Sequence, residues 1–78
     1  MYRVLIADDE EPILQGLQVI VPWRQLGFEI CGTATDGELA LELIAQKKPD
    51  LVLMDIRMPG VDGMEAIETA RRQGYQGY

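Results

Sequence analysis

The chain has 78 residues, 47% of them hydrophobic and 26% charged, a balance that suits a small globular domain and argues against disorder. Thirteen acidic residues against seven basic ones give a formal charge of −6 and a pI of about 4.4, which disfavours nucleic acid and anionic membrane surfaces as direct partners. With no histidine and one cysteine, Cys31, the chain cannot build a Ser-His-Asp triad, a Cys-His pair, a histidine metal site, an internal disulfide or a Cys-x-x-Cys motif.

The elements follow one another in a regular order. Residues 2–7 (YRVLIA) read as a strand. Pro12 suits the first turn of a helix, where a missing N–H costs nothing. Ile13, Leu14, Leu17, Ile20 and Val21 then form a helical stripe, and Pro22 stops it. Residues 23–27 are a loop, and residues 28–34 (FEICGTA) a second, weaker strand. Thr35-Asp36-Gly37-Glu38 matches a capping box. The helix it opens has Leu39, Ala40, Leu43 and Ile44 on its buried face, Lys47 and Lys48 at its C-terminus and Pro49 beyond. Residues 51–54 (LVLM) are continuously apolar, as expected of a strand covered on both faces of a parallel sheet. After a loop over residues 56–61, Asp62-Gly63-Met64-Glu65 opens a third helix with Met64, Ile67 and Ala70 recurring every three residues. Gly74 is its stop, and residues 74–78 end where a next strand would begin.

Three strand-helix units in succession predict an α/β sheet with right-handed crossovers. In the order 2-1-3 the first and third strands are neighbours, and their carboxyl ends flank the topological switch point where open α/β sheets bind ligands. Asp8 and Asp9 end the first strand and Asp55 ends the third. Clustered carboxylates repel unless a positive group sits among them, and a hard cation such as Mg²⁺ is the natural one. A carboxylate there can also attack phosphorus and form an aspartyl phosphate. The plainer reading makes Asp8 and Asp9 charges favouring the following helix N-terminus and Asp55 a polar strand end. Glu10 and Glu11 read as solvated charges, Asp62 as a helix cap, and Met54, Met58, Met64 and Cys31 as packing residues.

Leu5-Ile6-Ala7-Asp8-Asp9-Glu10 and the run Leu53-Met54-Asp55-Ile56-Arg57-Met58-Pro59-Gly60-Val61-Asp62-Gly63 resemble the receiver domain of two-component response regulators. Asp36-Gly37-Glu38 followed by Ala40-Leu41 matches the second-helix start of that family. Trp23-Arg24-Gln25-Leu26-Gly27-Phe28-Glu29 resembles a subgroup joined to AraC-type DNA-binding domains. The resemblance covers the whole chain. It implies a three-layer flavodoxin-like fold, here its N-terminal (βα)3 portion over residues 1–78. It further implies that Asp55 is the phosphoacceptor and that Asp9 and Asp55 bind Mg²⁺ directly. Asp8 would help through a bridging water, and the Arg57 main-chain carbonyl would supply another oxygen. Pro59 and Gly60 would shape the loop beyond the acceptor, and the donor would be a phosphohistidine on a sensor histidine kinase.

A receiver has five strand-helix units and this chain holds three. The switch Ser or Thr, the Lys that pairs with phosphate and the aromatic residue of the later units are missing, and so is an output domain. Lys47 and Lys48 sit at a helix end on the opposite rim and cannot replace that lysine. Weak metal affinity and slow phosphorylation are therefore expected. The third strand would be an unguarded sheet edge, so a homodimer is expected, through edge pairing or an exchanged tail. A non-catalytic, self-associating structural fragment is the competing reading. An aspartate-nucleophile phosphatase is disfavoured because the acceptor lacks a D-x-D pattern, and a dinucleotide-binding domain because no G-x-G-x-x-G follows the first strand. No membrane span is expected, since no apolar run approaches roughly 18 residues. Residues 1–7 are too short for a signal peptide, and four acids follow at once. With the unpaired cysteine, this makes a cytoplasmic location the expectation.

Overall fold

A computed structural model describes residues 1–55, 57–58 and 60–78; Ile56 and Pro59 lie outside the described residues. Six elements alternate along the chain: β1 (Tyr2–Ala7), α1 (Glu11–Ile20), β2 (Phe28–Ala34), α2 (Gly37–Lys47), β3 (Leu51–Met54) and α3 (Gly63–Arg72). The three strands are parallel in the order β2-β1-β3. The strand boundaries coincide with those read from the sequence.

β1 is the middle strand and is buried on both faces. Val4 and Ile6 pack with Leu14 of α1 on one side, while Leu5 packs with Ile44 of α2 and Ala70 of α3 on the other. One helix therefore covers one face and two cover the opposite face, giving three layers. Crossovers of constant hand require this: the chain steps one way from β1 to β2, then back across β1 to β3, so α1 and α2 fall on opposite faces.

β2 carries a bulge. Val4 pairs with Ile30 but Leu5 pairs with Gly32, so Cys31 is an extra residue without a partner in β1. This breaks the strict two-residue alternation along β2 and accounts for its weaker strand signal.

The helix starts follow local chemistry. The Asp36 carboxylate accepts the Leu39 N–H at 2.8 Å, and the Asp62 carboxylate accepts the Glu65 N–H at 2.8 Å. Asp62 is thus the cap that was expected. The box read as starting at Thr35 is shifted by one residue, because Asp36 offers the third helical N–H a stronger, charged acceptor. Gly74 takes φ +101 at the α3 exit, where a left-handed residue is needed.

Four expected faces are corrected. α1 buries only Leu14 fully, and Ile20 is 80% exposed, because this helix rests on the sheet alone with no second helix beside it among the described residues. Leu53 of β3 is 38% exposed on that same side, so β3 is not covered on both faces. On α3 the buried positions are Gly63, Ala66 and Ala70, while Met64 is 58% exposed. Small residues carry this face because α3 packs closely on α2, and the longer Met64 falls outside that contact. Leu39 of α2 is likewise on the exposed side.

The tail does not leave the domain. Tyr78 N–H donates to the Asp50 carbonyl at 3.0 Å, and Val52 N–H donates to the Tyr78 carbonyl at 2.7 Å. That is the pairing of one parallel residue beside β3, on the side away from β1. Tyr75 packs against the α2–α3 core, where partial burial raises its phenol above the usual tyrosine range. The edge of β3 is therefore occupied at one position by the chain's own Tyr78, which argues against a tail exchanged with a partner.

Candidate functional site

Asp8 follows the last residue of β1 and Asp55 the last residue of β3. Because β1 and β3 are adjacent and parallel, both strands deliver their carboxyl ends to the same rim of the sheet. The strand register continues into the site: Asp8 N–H bonds the Ala34 carbonyl and Asp55 N–H bonds the Ala7 carbonyl, each at 3.0 Å. The backbone of both residues is thus fixed by the sheet rather than by a free loop.

One carboxylate oxygen from each of Asp8, Asp9 and Asp55 lies within 4.8 Å of the others. Asp9 is exposed and Asp55 half-buried, so the cluster opens to solvent. Two local turns orient it. The Asp8 Oδ1 accepts the Glu10 N–H at 2.9 Å, and the Asp55 Oδ1 accepts the Arg57 N–H at 3.2 Å. Each leaves further oxygen lone pairs available. Asp8 therefore turns back on its own loop, and the α1 N-terminus has no side-chain cap. The reading of Asp8 and Asp9 as helix-favouring charges is weaker than the cluster reading on this geometry.

The donor set is carboxylate oxygen alone, the chemistry of Mg²⁺ or Ca²⁺ and not of a thiophilic metal. Oxygen ligands on opposite sides of Mg²⁺ stand about 4.2 Å apart. A cluster within 4.8 Å fits an ion held directly by two carboxylates, with the third reaching it through water.

Arg57 is exposed, two residues past Asp55, and its N–H bonds the Asp55 carboxylate. Its side chain makes no hydrogen bond with the cluster among the described residues. Met58 turns inward and packs with Ala7, Ala34 and Ala40, the small residues at the ends of β1 and β2 and the first turns of α2. Gly60 adopts φ +77, as a loop-shaping glycine should; Pro59, read alongside it, lies outside the described residues. Lys47 is held far from the cluster, since its carbonyl accepts from the Arg3 guanidinium at the amino end of β1. Met58, read from the sequence as a packing residue, does pack; that its contacts lie beside the site was not legible from spacing.

A three-layer parallel sheet ordered 2-1-3, with an acidic cluster at the carboxyl ends of its first and third strands, defines the flavodoxin-like class. The family model of the response regulator receiver domain matches residues 4–78. The chain belongs to that family. It is 46% identical over 68 residues to the Bacillus subtilis transcriptional regulatory protein YesN, a match covering 87% of this chain and 18% of the relative. It is similar to the receiver domain of AraT, a response regulator from Geobacillus stearothermophilus, with 38% identity and a TM-score of 0.86 over 91% of this chain and 55% of that one. It also superposes with a TM-score of 0.84 and 31% identity on a chain of the CheX-CheY-BeF3-Mg complex from Borrelia burgdorferi, covering 97% of this chain and 57% of that one. The chain thus spans under a fifth of the curated relative and a little over half of these receiver chains. Receivers of response regulators are phosphoacceptors of two-component systems rather than enzymes in the ordinary sense.

Proposed function

We propose that residues 1–78 form the first three strand-helix units of a receiver and that Asp55 accepts a phosphoryl group in a divalent-cation-dependent reaction. The observation that carries this reading is the meeting of Asp8, Asp9 and Asp55 within 4.8 Å at the ends of adjacent strands. Asp9 and Asp55 would hold the ion directly, Asp8 would act through water, and the Arg57 carbonyl would supply a further oxygen. An Asp55 carboxylate oxygen attacks the donor phosphorus. As that P–O bond forms, the bond from phosphorus to the donor breaks: P–N for a phosphohistidine, P–O for acetyl phosphate. Imidazole or acetate departs with the electron pair. The chemistry Mg²⁺ would supply when held there is neutralisation of the negative charge gathering on the phosphoryl oxygens. The Arg57 N–H, already on the acceptor carboxylate, holds one Asp55 oxygen and leaves the other to react.

The proposed phosphodonor partner is a sensor histidine kinase, and the proposed setting is the cytoplasm. Among the described residues no helix is long and apolar enough to cross a membrane. The acidic charge of −6 supports a chain that does not itself bind nucleic acid, with any DNA-binding role belonging to another domain of a longer protein.

Incubation with acetyl phosphate and Mg²⁺, followed by intact mass spectrometry, tests the assignment. The wild type should gain one phosphoryl group, lost again on treatment with hydroxylamine, and Asp55→Asn should gain none. Modification of Asp55→Asn at the wild-type level would remove Asp55 from the acceptor role.

Self-association is a second reading favoured by a particular surface. Val19 is 83% and Ile20 80% exposed on α1, and Leu53 of β3 is 38% exposed. An apolar face of this kind invites a second copy of the 78-residue polypeptide. Light scattering at low micromolar concentration should give a mass near twice 8.8 kDa; a folded species at the single-chain mass rejects the dimer.

A further inference from the structure

The Asp36-Gly37-Glu38 turn, so far only a helix start, touches the segment that leads away from Asp55. Gly37 is buried at the first turn of α2. A Cβ at that position would overlap the Val61 carbonyl oxygen, and would stand 2.7 Å from the Val61 carbonyl carbon and 2.9 Å from its Cβ. No real Cβ tolerates such contacts, and the obstacle is backbone, which cannot rotate away. One residue on, the Glu38 Oε1 lies 3.8 Å from where a Cβ on Gly60 would sit. The first turn of α2 is therefore a surface against which residues 60–61 lie, with main chain on main chain where Gly37 meets Val61.

Which side would yield to a larger residue can be read from the anchors. The α2 start is held by the Asp36 cap on Leu39 and by Ala40, which is fully buried under the ends of β1 and β2. Residues 60–61 are anchored on their far side by Asp62, whose carboxylate caps α3 on the Glu65 N–H. Toward the site, among the described residues, the holds are Met58, buried against Ala7, Ala34 and Ala40, and the Arg57 N–H on the Asp55 carboxylate. A push from α2 therefore travels along the segment to the group that orients Asp55.

We infer that Gly37 is a positioning residue for the acceptor site: its missing side chain lets the segment after Asp55 rest on α2, which sets the Arg57 main chain relative to the Asp8-Asp9-Asp55 cluster. This deepens the metal-site reading above and rests on it for its metal readout.

The experiment compares the wild type, Gly37→Ala, Asp9→Asn and Leu17→Ala. Leu17 packs under α1 on the far side of the sheet, so Leu17→Ala is a destabilised control that leaves the segment alone. Two quantities are read: the amide resonances of Arg57, Met58, Gly60 and Val61 in metal-free protein, and Mn²⁺ affinity by calorimetry. Gly37→Ala should move those four amides more than Leu17→Ala does and weaken Mn²⁺ binding roughly tenfold, as loss of an outer support does at other metal sites. Wild-type shifts and wild-type affinity in a folded Gly37→Ala overturn the inference, and so does an equal loss of affinity in Leu17→Ala. If Asp9→Asn binds Mn²⁺ as the wild type does, the metal-site reading fails, and Gly37 is then judged on the amide shifts alone. If Gly37→Ala does not fold, Val61→Gly frees the backbone of the segment that rests on α2; it should shift the Arg57 and Met58 amides and weaken Mn²⁺ binding, and its failure to do so overturns the inference.

Discussion

Leu5→Ala is expected to lower the free energy of unfolding by roughly 3 kcal/mol, within the range of about 2–5 kcal/mol seen when a fully buried leucine is truncated. Leu5 is wholly buried in the middle of the central strand and packs with Ile44, Val52 and Ala70, so it ties β1 to α2, β3 and α3 together. Main chain and helices on both flanks are fixed by other contacts, and the cavity will not collapse. A domain of this length holds on the order of 4–12 kcal/mol in total, so a quarter or more is lost. Urea unfolding followed by circular dichroism should show a lower midpoint at unchanged slope. A midpoint within experimental error of the wild type would mean that the core is not organised around β1.

Asp9→Asn is expected to have two effects of opposite sign. In metal-free protein it removes a negative charge from a cluster whose members lie within 4.8 Å. At about 4 Å each like-charge pair costs about 1 kcal/mol in water. Asp9 is exposed, so the gain should be at most of that size and should shrink as salt is added. With Mg²⁺ the order reverses. An ion that binds only the folded chain stabilises it by about 2.7 kcal/mol at one hundred times its dissociation constant. In a domain of this size that raises the melting temperature on the order of 10 °C or more. The wild type should show this rise between EDTA and excess Mg²⁺, and Asp9→Asn should lose it while melting slightly higher than the wild type in EDTA. Equal responses to Mg²⁺ in the two proteins would show that Asp9 is not a ligand.

The phosphoacceptor proposal and the Gly37 inference share one rim of the molecule but depend on different atoms. Asp55 supplies a side-chain oxygen, whereas Gly37 contributes only the space left by a missing Cβ. A variant of the first should remove chemistry with the fold intact, and a variant of the second should shift geometry with the carboxylates intact.

The three strands were determined by the sequence alone, to the residue: β1 and β3 are short apolar runs ended by Asp8 and Asp55, and β2, more weakly marked, lies between Gly27 and the Thr35-Asp36 helix start. So were the caps at Asp36 and Asp62, give or take one position, because capping depends on a side chain and the backbone N–H three residues ahead. The acidic cluster was legible once the order 2-1-3 was adopted, since parallel neighbours must end on the same rim. Packing between elements was decided only by the tertiary structure. The apolar stripe of α1 gave no hint that Ile20 would stay exposed, because periodicity records a helix's own face and not whether a second helix arrives to cover it. The bulge at Cys31 depends on register between two strands, and the burial of Met58 on three alanines from three different elements. The contact of Gly37 with Val61 joins backbone segments distant in sequence. Each of these depends on atoms brought together by the folded chain, where sequence spacing carries no distance.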